Sequence, residues 1–330
     1  MIDVAGLSKQ YHAVRAVDGV SFAVDRGEIV GFLGPNGAGK TTTMRMLTTF
    51  LTPTSGRAAL AGFDVLDDPR QVRRHVGYLP EGVPLYPEMR VREYLNFRAA
   101  LKDIPRGRRR AAVDRVLERC GLLDVDRRVL GHMSKGYRQR VGLAEAMVHD
   151  PDILILDEPT SGLDPIQIRE VRALIRELGD RHTILLSTHI MSEVEAVCGR
   201  VVMIVGGRVA LDQPLDRLQA RNVVLVEARG PLGPVAAALR SVGGVAGVDS
   251  TPLGADWHRF EVTVAGAADV RDSIAGRVVA GGWGLRLLDL GRSSLEDRFV
   301  RAVQEASLLR GEEAGDDPKS RPDPVAVGAA

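Results

Sequence analysis

Gly34-Pro35-Asn36-Gly37-Ala38-Gly39-Lys40-Thr41 fits the pattern GxxxxGK[ST]. Glycines in such a run let successive backbone N–H groups curl around a phosphate, and a helix starting at its end turns its positive pole toward the same anion. Lys40 is expected to reach β- and γ-phosphates, and the Thr41 hydroxyl suits Mg²⁺. Further on, the apolar run Ile153 to Leu156 is followed by Asp157-Glu158, which puts two carboxylates at the C-terminal end of a buried strand, where open α/β sheets bind ligands. Beside a phosphate loop, Asp157 is expected to hold the Mg²⁺, directly or through water. Glu158 is then left to polarise an attacking water without being consumed by the metal. A third run, Ile184 to Ser187, ends at Thr188-His189 and delivers an imidazole to the same edge, suited to hydrogen-bond the γ-phosphate and orient that water. The expected catalytic set is Lys40, Glu158 and His189.

Positioning these groups takes a strand, a loop and a helix in that order. Ile2 to Leu7 and Val17 to Val24 read as antiparallel strands, and Glu28 to Leu33 as a buried strand reached through the turn Asp25-Arg26-Gly27. Residues 40–51 lack Gly and Pro and read as a helix. Residues 88–145 change character, with helical patterns at Val91 to Leu101, Arg108 to Cys120 and from Ser134 onward, and read as a helical insert. From residue 150 strands and helices alternate: strand Ile153 to Leu156, helix Pro165 to Leu178, strand Thr183 to Ser187, helix Met191 to Val197, strand Val201 to Val205. Such alternation implies a mostly parallel sheet. A second region, 220–306, contains VVLVEA, PVAAALRSV, WHRFEVTV, ADVRDSIAGRVV and GLRLLDL and suits a small α+β domain, βαββαβ in order, closed by a helix from Ser294 to Ala306. His258 stands alone there and Trp257 and Trp283 open strands, so the expected role is structural or dimerising. Residues 307–330 are polar and aperiodic and read as a disordered tail.

Composition narrows the class. In 330 residues, 44 Lys+Arg oppose 43 Asp+Glu, a formal charge of +1, so no global field pulls the chain toward nucleic acid or anionic lipid. The Arg-rich run at 106–110 reads as a solvated helix start. Apolar runs are strand-sized, too short to span a bilayer, and the start of the chain lacks a secretory pattern, which makes the cytoplasm the default compartment. Cys120 and Cys198 are far apart without metal-ligand spacing, which argues against a disulfide framework or a zinc site.

Over roughly residues 1–215 these features resemble the nucleotide-binding subunit of an ATP-binding cassette (ABC) transporter. The stretch MSKGYRQRVGLAEAMVHDPDILILDEPTSGLDP is similar to that family's signature, Walker B and D-loop in their usual order. The resemblance implies a P-loop NTPase cassette spanning 1–219: a mostly parallel sheet, an antiparallel β subdomain and the insert. It implies that Tyr11 stacks on adenine, that Gly34 through Thr42 hold the phosphates of ATP, and that Ser134 and Gly136 contact a γ-phosphate. It places Asp164 in the D-loop 161–164 and makes His189 the switch histidine. More narrowly, GYLPEGVPLYPEMRVREYL, SKGYRQRVGLAEAMVHDP and STHIMSEVEAVC resemble gliding-motility-associated and multidrug-type export ATPases, and SSLEDRFV resembles the end of their accessory domain. Such subunits pair with a separately encoded multi-span permease at the cytoplasmic face of the cell membrane. Coupling is expected through 81–94 and the insert, although Val83, Leu85, Tyr86 and Met89 also suit simple packing.

One chain thus carries a phosphate loop and a separate anion-seeking helix start at Ser134. The resemblance implies that two such chains close head to tail, and because both half-sites look intact a homodimer is the simplest expectation, with a heterodimer as the alternative. Two residues depart from the family pattern. Glu81 stands where Gln is common and is expected to contact Mg²⁺, and MSKGY puts Lys135 and Tyr137 where Gly and Gln are usual. A soluble ATPase clamp on ribosome or DNA is the alternative reading. It generally needs tandem cassettes or a long coiled-coil insertion, neither is visible, and the neutral charge agrees with no nucleic-acid partner. An ATP sensor without turnover is disfavoured because Glu158 and His189 are both present. Cargo is chosen by the permease.

Overall fold

The computed structural model describes residues 1–216, 222–265, 269–292 and Phe299. The helix expected over 294–306, apart from Phe299, and the tail 307–330 lie outside the described residues.

The chain opens with β1 (Ile2–Tyr11) and β2 (Val14–Val24), followed by β3 (Ile29–Leu33) and α1 (Lys40–Leu47). β4 (Ser55–Leu60) and β5 (Phe63–Asp64) join the first two in an antiparallel sheet of order β2-β1-β4-β5. In β1, buried Ile2, Val4 and Leu7 turn inward between exposed residues, as a sheet with one solvated face requires. Helix α1 is shorter than the expected 40–51, because Thr49 takes a left-handed φ of 61° and the N–H groups of Phe50 and Leu51 turn back to the Arg45 carbonyl.

After α2 (Pro69–His75) and β6 (Val76–Leu79) comes the insert: α3 (Val91–Leu101), α4 (Arg106–Arg119) and α5 (Lys135–Met147). Its core joins Val91, Leu95, Val113, Leu117 and Val141, all at 0% exposure; full burial of such a side chain is worth about 1.5–3 kcal/mol. The remaining cassette elements are β7 (Ile153–Asp157), α6 (Pro165–Gly179), β8 (Thr183–Thr188), α7 (Met191–Val197), β9 (Arg200–Val205) and β10 (Arg208–Pro214). They complete a six-stranded sheet of order β10-β9-β3-β8-β7-β6, parallel except for edge strand β10. All five residues of β7 and all six of β8 are buried, so these strands read as continuous rather than alternating runs. β10 returns through Gly206 and Gly207, whose φ of 60° and 84° suit a tight two-residue hairpin.

The C-terminal unit runs β11 (Asn222–Arg229), α8 (Leu232–Arg240), β12 (Val245–Gly254), β13 (Trp257–Val264), α9 (Arg271–Ala280) and β14 (Gly284–Arg292). Its sheet is antiparallel with order β12-β13-β11-β14, a ferredoxin-like βαββαβ arrangement. Val224, Val226, Phe260 and Val262 pack against Val235, Leu239, Ile274 and Val278. Gly247, Pro252 and Gly254 obscure β12 in the sequence, and they are tolerated because β12 is an edge strand. Phe299 packs against the cassette cluster of Leu33, Val194, Met203 and Leu215. No helix among the described residues is long and apolar enough to cross a membrane.

Candidate active site

β3 ends at Leu33 and α1 starts at Lys40, so residues 34–39 form the whole connection. Two of its glycines are obligatory by contact: a Cβ on Gly34 would lie 2.4 Å from the Ile204 carbonyl oxygen, and one on Gly39, at φ 104°, would lie 2.5 Å from that of Ala16. Among the described residues, the backbone N–H groups of Asn36, Gly37 and Gly39 donate to no protein acceptor, which leaves them available to an anion. Lys40 is only 6% exposed. Its Nζ donates to the carbonyls of Gly34 (2.8 Å) and Pro35 (3.3 Å) and stands 3.4 Å from Glu158 Oε1. Thr42 is half-buried in the first turn of α1.

Asp157, at the end of β7, is fully buried. Its Oδ1 accepts from the Ser187 hydroxyl and from Thr41 Oγ1 at 3.3 Å, while its buried Oδ2 has no hydrogen-bond partner among the described residues. Burial pushes the Asp157 pKa up, the Ser187 and Thr41 bonds oppose this, and the like charges of Glu81 and Glu158 add to the rise. A buried carboxylate oxygen without a donor is costly. Beside the Thr41 hydroxyl it fits a hard divalent cation. Mg²⁺ is such an ion, usually bound by one or two carboxylates with phosphate and water supplying the rest.

Glu158 adopts a φ of 50°, rare for a non-glycine residue. Its N–H holds that turn by donating to the Ser187 carbonyl (3.0 Å) and hydroxyl (3.2 Å). The carboxylate bridges two groups, Lys40 through Oε1 and His189 Nδ1 through Oε2 at 2.9 Å. The His189 turn is fixed from behind by Thr188, whose hydroxyl donates to Glu193 Oε2 (2.7 Å) and accepts from the Ile190 N–H (3.0 Å). The other oxygen of Glu193, a residue 1% exposed, accepts from the Thr160 hydroxyl. Ser187, Thr188, Thr160 and Glu193 are absent from the candidates read in the sequence. The available signals were a polar Ser-Thr end on an apolar strand and an acid in the first turn of α7.

A second group forms where α5 and α6 begin. Ser134 caps α5, accepting from the Tyr137 N–H at 3.4 Å, and Asp164 caps α6, accepting from the N–H groups of Ile166 (3.0 Å) and Gln167 (2.9 Å). The Gln167 side-chain amide of α6 lies against Gly136, where a Cβ would come within 2.3 Å of its Oε1, so the two helix starts meet there. The Lys135 stem lies across Gly162, and Tyr137 carries the Arg140 guanidinium 5.9 Å from its ring centre.

The structure therefore brings together Lys40, Thr41, Asp157, Glu158 and His189, and sets exposed Glu81, just past β6, within electrostatic reach of Asp157. Ser134, Gly136 and Asp164 belong to the second group, and no hydrogen bond or ion pair among the described residues joins them to Lys40, Asp157, Glu158 or His189. Tyr11, 44% exposed, sits at the tip of the antiparallel sheet with Lys9 Nζ 5.4 Å from its ring centre. Of the segment after Glu81, Val83, Leu85 and Met89 pack on the insert core. Tyr86 remains 45% exposed against Tyr94 and Phe97.

Comparison with known proteins gives a consistent picture. Residues 17–161 match the ABC transporter family model. The chain is 40% identical over 224 residues to the bacitracin transport ATP-binding protein BcrA of Bacillus licheniformis, covering 67% of this chain and 72% of that one. It is 38% identical over 261 residues to the daunorubicin resistance ATP-binding protein DrrA3 of Streptomyces coeruleorubidus, covering 77% and 82%. Among solved structures, an ATP-binding subunit of an ABC transporter superposes with a TM-score of 0.61 at 33% identity, over 66% of this chain and 92% of that one. The dimeric bacterial cassette MJ0796, at 23% identity and a TM-score of 0.61, shares the fold over 65% of this chain and 99% of its own.

Proposed function

Because the chain belongs to the ATP-binding proteins of ABC transporters, we propose that two copies close head to tail around ATP, each phosphate loop meeting the other copy's Ser134 group, and that hydrolysis energises export through a separately encoded multi-span permease. The observation that carries this reading is the Glu158 carboxylate held between Lys40 and His189 beside a buried Asp157 with one oxygen unpartnered.

In this reading the free N–H groups of the loop and the Lys40 ammonium bind the phosphates, and Glu158 accepts the proton of the attacking water while His189 holds its orientation. Thr41 and Asp157, with Glu81 nearby, would hold Mg²⁺, which when bound neutralises charge on the phosphate oxygens. Tyr11 offers a ring to the adenine base. Head-to-tail closure is supported by the presence in one chain of a second anion-seeking helix start, capped by Ser134, besides the phosphate loop. Export is supported by the relatives named for bacitracin transport and daunorubicin resistance. A cavity of about 490 Å³ edged by Phe50, Tyr78, Val83 and Pro84 is the proposed seat of the permease, which would hold the protein at the cytoplasmic face of the membrane.

The test traps the Glu158→Gln form with Mg·ATP in its native extract and identifies what copurifies from solubilised membranes. A multi-span permease and an ATP-dependent dimer are expected. Recovery of ribosomes or nucleic acid without a membrane partner moves the protein to the soluble-clamp class. If Glu81→Gln leaves both Mg²⁺ dependence and turnover unchanged, the metal role of Glu81 is rejected.

A further inference from the structure

A cavity of about 860 Å³ opens where α2, the ends of α3 and α5, and the first half of α4 meet. Arg70, Arg73 and Arg74 enter it from α2, Arg98 and Lys102 from the end of α3, and Arg108 and Arg115 from α4. Among the described residues, Asp103 is the one acidic residue in its lining. A chain of formal charge +1 has thus gathered seven cations against a single acid in one concavity, an excess that composition does not impose. None of residues 34–42, Asp157, Glu158 or His189 lines it.

These cations are poorly neutralised. Arg98 pairs with Glu145, Arg74 reaches Asp103 only at 3.6 Å, and Arg73 donates to the neutral Thr49 hydroxyl at 3.2 Å. Arg70, Arg108 and Arg115 have no ion pair or hydrogen-bonding side chain among the described residues. The Lys102 ammonium rests on two carbonyls, those of Arg73 (3.3 Å) and Val76 (3.4 Å), and touches no carboxylate among the described residues. Burial first, then the nearby Arg98 charge, pulls its pKa down to about 8, with Glu145 opposing the fall and Arg73 adding to it. Arg98 also keeps a buried Nε–H without an acceptor. The cavity wall is braced, since Arg109 Nε donates to the Ile104 carbonyl at 2.8 Å.

Like charges crowded into a concave wall repel one another, and an anion placed among them relieves the repulsion while satisfying idle N–H forks. Guanidinium groups match phosphate oxygens in pairs, and Leu101, Ile104 and Val148 add apolar surface beside them. We propose that this cavity binds a phosphate-bearing anion other than the nucleotide at Lys40. Two sources share that chemistry, the headgroup of an anionic phospholipid and a soluble phosphorylated compound. The proposal does not rest on the export reading.

The full chain, with its phosphate loop filled by Mg·ADP and Mg²⁺ in excess, is assayed for cosedimentation with phosphatidylglycerol against phosphatidylcholine vesicles, and by calorimetry for inorganic tripolyphosphate. Binding to at least one anionic probe is expected. The combined change Arg70→Ala, Arg108→Ala and Arg115→Ala should weaken it by at least about tenfold, with the three Arg→Lys changes restoring part of it. Should the alanine variant fail to fold, Arg108→Glu alone, at an exposed position, gives the same reading. Vesicle binding without tripolyphosphate binding assigns the headgroup, and the converse assigns a soluble compound. If the native chain binds neither probe, or the alanine variant binds as well as the native chain, the proposal is overturned.

Discussion

The cassette and the C-terminal unit each carry a buried carboxylate on a sheet, and the two are treated in opposite ways. In the cassette β3, β7 and β8 run parallel, so their C-terminal ends share one edge, and the Lys40 loop, Asp157-Glu158 and His189 converge there. In the C-terminal sheet β11 is antiparallel to both neighbours, and its ionic cluster is built across the strands instead. Glu227 faces Arg259 in register, with Oε1 accepting from Arg259 at 3.0 and 2.6 Å and Oε2 from Arg286 at 2.6 Å. Both its oxygens are engaged, and Arg259 first, then Arg286, draws its pKa down. Asp157 keeps one oxygen unpartnered, and burial drives its pKa up. A satisfied carboxylate ties strands together, whereas a buried unsatisfied one marks a place where something else is meant to bind.

The sharpest way to break this contrast is Glu158→Gln, which should lower ATP turnover by about 10²–10⁴-fold while ATP binding persists, as read by phosphate release and nucleotide titration. Unchanged turnover would remove the cassette edge from the chemistry. Asp157→Asn comes next. It should abolish Mg²⁺-dependent turnover yet raise the Tm of the nucleotide-free protein, with a gain on the order of 1 kcal/mol. The sign follows from the raised pKa: the native state holds a proton that the unfolded chain has lost, so stability falls as pH rises through that window. The Tm gain is therefore expected at neutral pH and should vanish in acid, where both states are protonated. Phe299→Ala probes whether the two regions are independent, because Phe299 follows the C-terminal sheet in sequence yet packs on Leu33, Met203 and Leu215. A loss on the order of 1 kcal/mol with unchanged turnover is expected by chemical denaturation. The smallest effect belongs to Glu227→Gln, which should lower Tm slightly at neutral pH. Its depressed pKa gives stability that is present above the ordinary carboxylate range and lost as pH falls through the folded value, so the difference from native should close in acid. A Tm difference for Glu227→Gln that persists in acid would show that lost packing, not the charge, sets its role.

Much of the architecture was legible because it is written in short stretches. Ile153 to Leu156, Ile184 to Leu186 and Val201 to Val205 read as strands, since residues buried on both faces leave an unbroken apolar run. The mostly parallel sheet with a helical insert and the added α+β unit followed from the order of such runs. The end of α1 is not legible, because Thr48 to Leu51 carry no Gly or Pro and Thr49 takes its left-handed turn without one. Ser187 and Glu193 escaped notice because nothing local distinguishes a hydroxyl or an acid that meets its partner about thirty residues away.

By itself the sequence determined the phosphate loop, whose geometry resides in consecutive residues, together with the strand order of burial and a near-neutral overall charge. Only the tertiary structure decided that Thr41 meets Asp157 across 116 positions, that Glu158 is shared by Lys40 and His189, and that Lys135 lies over Gly162. It also decided that arginines scattered over α2, α3 and α4 share one cavity. The reason is range. Backbone conformation and apolar periodicity act between near neighbours in the chain, whereas electrostatic and hydrogen-bonding partners are chosen by whichever strands and helices the packed core sets side by side.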